Sequence, residues 1–209
     1  MKKRTTLNEI AYHKIKEKIM KGDFIEENYT SQNQLVEELE MSRTPIVAAL
    51  QRLQNEGFVK VISNQGIAIQ ELSIKEINDF FDARIAIETF SIRNTIDMLK
   101  ENDLATLYEM VNEQKQCCEN DDFFSFVQLD ADFHYYLLEV EGNSLFLQTM
   151  SNISERLFYN STCFLKKKQN MMKFIQEHLD ILEALKQKNH HLAVHELEEH
   201  IRGGKISLF

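Results

Sequence analysis

Residues that break helices are scarce in this chain of 209 residues, which contains six glycines and one proline. Leucine, glutamate, lysine and isoleucine, which are compatible with helices, are abundant. Long helices joined by short turns are therefore the structure that the composition favours. An apolar fraction of 43% supplies a hydrophobic core and excludes a chain that is disordered throughout. The sequence thus predicts a mostly α-helical protein.

The first 72 residues follow the order helix, helix, helix, β-hairpin. Helical spacing of apolar residues covers 7–21 and 31–40, and a third helix after Met41 has Pro45 in its first turn, where proline is tolerated. The segments FVKVI, SNQG and IAIQEL then read as strand, tight turn and strand. Three helices and a hairpin form the winged helix-turn-helix, whose third helix enters the major groove of DNA. We therefore expect a DNA-binding domain over residues 1–72.

Only helices are visible after this point, and they predict an all-α domain over residues 73–209. Six helices are expected, over residues 74–99, 102–119, 122–141, 143–164, 168–188 and 190–203. The charge is divided in the same way. Residues 1–72 carry ten basic and ten acidic side chains, so the whole net charge of −9 belongs to the residues that follow. A neutral front and an acidic back indicate two domains with different partners.

Neither a membrane span nor a secretory leader is visible in the sequence. No window approaches 18 consecutive apolar residues, and no apolar stretch follows the basic N-terminus. Cys117, Cys118 and Cys163 form no C-x-x-C motif, which favours reduced thiols over disulfides or a zinc-thiolate site. We therefore expect a cytoplasmic protein with no membrane partner.

Several histidines of the back domain fall on apolar helix faces. Asp130 and His134 stand four residues apart, which places both on one face among apolar neighbours. His178 and His200 also share faces with apolar residues, whereas His195 lies about 140° around its helix from His200. A buried carboxylate and imidazole need a partner, and a cation supplies one. Most buried histidines bind no metal, however, so the spacing alone leaves a structural role open.

The segment SRTPIVAALQRLQNEGFVKVISNQG resembles the GntR family of bacterial transcription regulators, a resemblance that covers roughly residues 8–71. It implies that a dimer binds a short inverted repeat in double-stranded DNA. Arg43, at the start of the recognition helix, becomes a candidate contact to guanine or phosphate; the alternative is a solvated arginine at a helix end. Thr44 is a candidate phosphate contact, and Gln65 and Gly66 occupy the tip of the wing.

The front domain departs from the family's pattern at three places. Asn33, a further candidate DNA contact, lies where the second helix often has an arginine, and Val47 lies where the recognition helix usually has another. Glu27 and Asn28 replace the usual Pro-Gly. Each lost phosphate contact weakens the electrostatic part of binding. We therefore expect DNA affinity to depend more on the basic residues 2–4 and on dimerisation.

The back domain is similar to the FCD branch of these regulators over roughly residues 74–203, and its six helices resemble the VanR-like subgroup. The similarity rests on Asp130-x-x-Phe133-His134, on Gly142-Asn143, on Glu177-His178 with Ile181, and on Ala193 with His200. Regulators of this kind hold a divalent metal with one Asp and three His. The resemblance therefore implies four ligands: Asp130, His134, His178 and His200. Such a set suits Zn²⁺, Ni²⁺, Mn²⁺ or Fe²⁺.

The resemblance also implies a small organic acid as the effector. Arg84 matches an inward arginine of the family that could clamp a carboxylate; a salt bridge to Glu88, four residues on, is the alternative. Asn143 is a candidate ligand contact whose alternative role is to cap the next helix. We expect a ligand-responsive regulator, which in this family is most often a repressor. The alternative is a metal-dependent enzyme with a winged-helix appendage, although no well-placed general base accompanies the four ligands.

Overall fold

The computed structural model describes residues 5–24, 29–62, 66–164 and 168–207. The chain divides into two compact units, Met1–Glu71 and Leu72–Phe209, called the front and back units below. The front unit contains α1 (Leu7–Lys21), β1 (Tyr29–Thr30), α2 (Gln32–Leu39), α3 (Arg43–Asn55), β2 (Val59–Ile62) and β3 (Gly66–Ile69). The back unit contains α4 (Ile74–Met98), α5 (Glu101–Glu119), α6 (Phe123–Glu141), α7 (Ser144–Phe164), α8 (Lys168–Lys186) and α9 (His190–Ser207). The predicted winged helix-turn-helix followed by six helices is confirmed.

The helices of the front unit bury the apolar stripe that the sequence predicted. Helix α3 packs on α1 and α2. Its stripe is fully buried and consists of Ile46, Ala49, Leu50 and Leu53. Pro45 lies in the first turn of α3, where the N–H that proline lacks would have no helical partner. Helix α3 therefore keeps its opposite face and its N-terminus available to a partner.

The predicted hairpin forms, and a third strand joins it. Strands β2 and β3 pair antiparallel, and the two-residue strand β1, which the sequence did not predict, pairs with the other side of β3. Gly66 begins β3 with φ at +116°, and a Cβ there would lie 2.4 Å from Tyr29 Oη and 2.7 Å from the Thr30 carbonyl oxygen. Glycine is therefore required where β3 passes β1.

Helix α4 packs against α6, α7 and α9 in the back unit. Helix α5 packs against α6 and α8, and α8 packs against α9. The start of α4 is fixed by a capping box, in which Glu76 N–H donates to Ser73 Oγ and Ser73 N–H donates to the Glu76 carboxylate. None of the helices in the described part of the chain is long and apolar enough to cross a membrane.

Helix α9 ends later than the sequence predicts. We expected it to end at residue 203, but it continues through Gly203 and Gly204 to Ser207. Glycine in a helix costs about 1 kcal/mol relative to alanine, so local preference opposes this extension. Tertiary contacts offset it: Gly203 is buried against α8, and Lys205 forms a 3.2 Å salt bridge to Asp82. Packing therefore overrides the two glycines.

Candidate functional site

Three helices of the back unit bring one carboxylate and three imidazoles together. Asp130 and His134 lie on α6, His178 on α8 and His200 on α9. Each offers one ligand atom, and these four atoms all lie within 4.8 Å of one another. The three histidines are buried and Asp130 is half-buried. The four residues implied by the resemblance thus share one site in the bundle, called the Asp-His cluster below.

Three of the separations within the Asp-His cluster are short enough for a single bound ion, while the four ligand atoms as a set lie within 4.8 Å of one another. His134 Nε2 lies 3.0 Å from His200 Nε2, and Asp130 Oδ1 lies 3.5 Å from His178 Nε2 and 3.8 Å from His200 Nε2. Two atoms that bind one transition-metal ion at about 2.1 Å cannot be more than about 4.2 Å apart. These three separations meet that limit.

Each imidazole has an acceptor outside the cluster close to its Nδ1 atom. His134 Nδ1 lies 2.6 Å from Glu88 Oε2, and His200 Nδ1 lies 3.0 Å from Glu177 Oε2. His178 Nδ1 lies 2.9 Å from the side-chain oxygen of Gln114. Carboxylate and amide oxygens accept hydrogen bonds, so these partners favour a proton on each Nδ1. All three Nε2 atoms face the interior of the cluster.

The Nε2 atoms of the Asp-His cluster have no cation to bind within the described part of the chain. His178 Nε2 is buried and has no hydrogen-bond partner among the residues that the structure describes. His134 Nε2 and His200 Nε2 lie 3.0 Å apart, and they share a hydrogen only where one of the two atoms carries a proton. A buried polar atom without a partner is costly, and a cation bound to the lone pairs would satisfy all three. Outer acceptors on Nδ1 are also what metal-binding histidines commonly have. The residues present therefore fit a metal ion.

Electrostatics keep His178 and His200 in the form that binds metal. Burial and the neighbouring imidazoles lower the pKa of His178 and His200 well below the ordinary value, so both rings are neutral at pH 7. Burial raises the pKa of Asp130. Burial also acts to raise the pKa of Glu88, but Arg84 and His134 outweigh it and hold that pKa at about 2. Glu88 is therefore a carboxylate at neutral pH.

Arg84 forms the predicted salt bridge and also lines a cavity. Its Nε donates to Glu88 Oε1 at 2.8 Å. The cavity beside it has a volume of about 30 Å³ and is lined by Asp130, Ser154 and apolar residues of α6 and α7. A buried water needs about 10–15 Å³, so this space suits a few small groups only. An organic acid of any size would have to widen it.

The structure gives Asn143 the capping role. Its Oδ1 accepts from the backbone N–H of Leu145 at 3.1 Å and of Phe146 at 3.3 Å, at the start of α7. These bonds satisfy two N–H groups that the first turn of a helix leaves free. A contact between Asn143 and an effector stays a prediction.

The candidate DNA contacts lie on the exposed surface of the front unit. Arg43 and Thr44 are the first two residues of α3, and both are exposed. Arg43 Nη2 donates to Asn33 Oδ1 at 2.7 Å, an interaction between α3 and α2 that the sequence did not predict. Gly66 begins β3, while Gln65 and the basic residues 2–4 lie outside the described residues. Asn33, which lies where the resemblance leads us to expect an arginine, therefore orients Arg43.

Sequence reasoning missed the outer partners of the histidines. Glu88 was expected only as a partner of Arg84, and its contact with His134 was not foreseen. Glu177 precedes His178 directly, yet it contacts His200 instead. Gln114 lies on α5 with no motif around it. Only the packing of α4, α5 and α8 around the Asp-His cluster reveals these three residues.

Comparisons with known families agree with this architecture. The model of the FCD domain matches residues 79–203, and that of the gntR family of bacterial regulatory proteins matches residues 7–69. The chain therefore belongs to the GntR family of DNA-binding transcription regulators and carries an FCD domain.

Individual relatives fall in the same class. The chain is 23% identical over 179 residues to the uncharacterized HTH-type transcriptional regulator YdhC of Bacillus subtilis, covering 85% of this chain and 80% of YdhC. It is 22% identical over 165 residues to the HTH-type transcriptional repressor RspR of Escherichia coli, covering 78% and 71%. The solved structure of E. coli McbR/YncC matches with a TM-score of 0.82 at 19% identity over 98% of each chain, which shows a common fold. The family assignment places the chain among regulators rather than enzymes.

Proposed function

We propose that the protein is a ligand-responsive repressor in which the back unit binds a divalent metal and a small organic acid. The front unit, as a homodimer in the cytoplasm, would bind an inverted repeat in DNA. One observation carries the metal proposal. Three Nε2 lone pairs and a carboxylate converge in a buried site, and each imidazole is oriented by an acceptor outside that site. The six helices described in the back unit support the VanR-like subgroup.

The donor set indicates the class of metal. Three imidazole nitrogens and one carboxylate oxygen suit Zn²⁺, Ni²⁺, Mn²⁺ or Fe²⁺, and no thiolate favours a softer ion. When bound, such an ion supplies a Lewis acid to which the oxygen of an acid can bind. Asp130 and the three histidines would hold it, while Glu88, Gln114 and Glu177 keep the rings oriented.

The charges around the site indicate the effector's charge. Arg84 and Glu88 form a buried ion pair whose charges cancel, and His178 and His200 are neutral at pH 7. Asp130 offsets one of the two charges of a divalent ion, so one positive charge remains uncompensated. A carboxylate would neutralise it, and Arg84, whose guanidinium has donors beyond Nε, lines the cavity together with Asp130. A monocarboxylate therefore fits better than a neutral ligand.

Mobility-shift assays with DNA from upstream of the protein's own gene test the DNA-binding half of the proposal. We expect retardation by the wild type, relief by an organic acid, and weaker retardation by Arg43→Ala. Arg202→Ala is the matched control, because Arg202 is an exposed arginine of the back unit paired with Glu198. Absence of retardation at low salt, where phosphate contacts are strongest, would contradict DNA recognition at this region.

A thermal-shift screen of small organic acids, with and without a chelator, tests the effector half. Ligands that bind only the folded protein raise its melting temperature. We expect monocarboxylates to stabilise the metal-loaded protein more than the chelated protein, and Arg84→Met to reduce the difference. Equal shifts in melting temperature with and without the chelator would show that acid binding does not depend on the metal.

A further inference from the structure

We propose that Glu88 is a positioning residue that fixes the tautomer of His134, and so presents the His134 Nε2 lone pair to the metal. The inference rests on the proposed metal site. The geometry is that of one buried carboxylate between two nitrogen atoms: Oε1 accepts from Arg84 Nε at 2.8 Å, and Oε2 lies at ion-pair distance, 2.6 Å, from His134 Nδ1. Glu88 itself is 3% exposed, so water does not replace either donor.

Arg84 is what makes the arrangement rigid. A guanidinium N–H can only donate and keeps its proton under all ordinary conditions. Glu88 therefore holds one oxygen on Arg84, and its second oxygen can only accept from His134 Nδ1. The carboxylate keeps a proton on Nδ1, and this leaves Nε2 as the ring atom that faces the metal.

The other two outer partners are held less firmly. Glu177 is partly exposed and shares its carboxylate with Lys173, 3.4 Å away. Gln114 has an amide that offers either an acceptor or a donor when it is turned over, and its Nε2 has no partner in the described part of the chain. Among the three outer partners, Glu88 is the carboxylate that is both buried and held by a buried donor-only group. The His134 tautomer is therefore the one most firmly set.

Glu88→Gln tests this chemistry with an isosteric change. The introduced amide has a single oxygen, which stays on Arg84 Nε because the guanidinium requires an acceptor. Its NH₂ group then faces His134 Nδ1, which must accept, so the ring proton moves to Nε2. Long-range ¹H–¹⁵N NMR of the metal-free protein should report Nδ1–H for His134 in the wild type and Nε2–H in Glu88→Gln. Zn²⁺ affinity, measured by competition with a chelating dye, should fall 10- to 100-fold.

A second replacement should reverse the effect. In Arg84→Met/Glu88→Gln the fixed donor is gone, so the amide can rotate and accept from His134 Nδ1. We expect the Nδ1–H tautomer to return and Zn²⁺ affinity to recover most of the loss. A purely structural defect would instead worsen with a second substitution. If Glu88→Gln does not fold, Arg84→Met/Glu88→Gln is compared with Arg84→Met/Glu88→Leu, and the variant with the amide should bind Zn²⁺ more tightly.

Two results would overturn the role of Glu88. One is an Nδ1–H tautomer that persists in Glu88→Gln, and the other is a double variant that binds Zn²⁺ no better than the single one, or no better than Arg84→Met/Glu88→Leu. A wild type that binds no Zn²⁺ would overturn the proposed metal site, while the NMR comparison would still decide what Glu88 does to His134.

Discussion

Replacing Gln114 and His178 together by leucine should stabilise the metal-free protein and abolish its response to metal. Both side chains are fully buried, and in each the Nε2 atom has no hydrogen-bond partner among the described residues. Each such atom costs about 1–3 kcal/mol, whereas the one bond between them, His178 Nδ1 to Gln114 Oε1, contributes only about 0.5–1.5 kcal/mol. At the middle of these ranges the double variant gains about 3 kcal/mol. Leucine is close in size to both residues, so the packing changes little.

The assay is thermal unfolding with a chelator and with Zn²⁺. In the chelator the double variant should melt about 2–4 °C higher for each kcal/mol gained, which is roughly 6–12 °C. Zn²⁺ at one hundred times its dissociation constant should stabilise the wild type by about 2.7 kcal/mol and the variant not at all. The two proteins should therefore differ clearly without metal and be close together with it.

A matched control is available on the same helix. Gln176 is an exposed glutamine of α8, and Gln176→Leu should change stability by less than about 0.5 kcal/mol and keep the response to Zn²⁺. A double variant less stable than the wild type in the chelator would refute the cost assigned to the two Nε2 atoms. A double variant still stabilised by Zn²⁺ would refute His178 as a ligand.

Three further predictions concern pH, DNA and a helix cap. The folded pKa values of His178 and His200 lie below 6.5, so below this pH the unfolded chain binds protons that the metal-free native state does not. The free energy of unfolding should therefore fall below pH 6.5 by up to about 1.4 kcal/mol per pH unit for each histidine. A free energy from urea unfolding that stays constant over this range would contradict the prediction. Asn33→Arg removes the acceptor that holds Arg43 and adds a cation. The slope of the logarithm of DNA affinity against the logarithm of salt concentration should therefore become steeper by about one. An unchanged slope, measured by mobility shift, would count against a phosphate contact at residue 33. Asn143→Ala should cost about 1 kcal/mol in unfolding without changing acid binding, and a loss of acid binding would instead make Asn143 a ligand contact.

Most of the fold was predictable because helix signals are local. The scarcity of glycine and proline, the apolar spacing and Pro45 at the start of α3 place each helix within a few residues. Two features were not predictable. Strand β1 has only two residues and exists through its pairing with β3, and α9 passes Gly203 because contacts with α8 hold it there. Both depend on neighbours distant in sequence.

In the Asp-His cluster, too, local features were predictable and contacts between helices were not. Helical phase predicted that His200 points inward and that His195 does not, and the structure has His200 buried and His195 exposed. Helical phase, however, compares only residues of the same helix. The partners Glu88, Gln114 and Glu177 come from helices that meet the histidines through packing, so no spacing rule could identify them.

Metal content is the measurement that tests the central claim most directly. Wild type, His178→Ala and His191→Ala are loaded with Zn²⁺, separated from free metal by gel filtration, and analysed by mass spectrometry for metal per chain. His191 is the control, because it is an exposed histidine of α9 that lies outside the Asp-His cluster. We predict about one ion per chain in the wild type and in His191→Ala, and almost none in His178→Ala. Equal metal content in the wild type and His178→Ala would contradict the proposed ligand set.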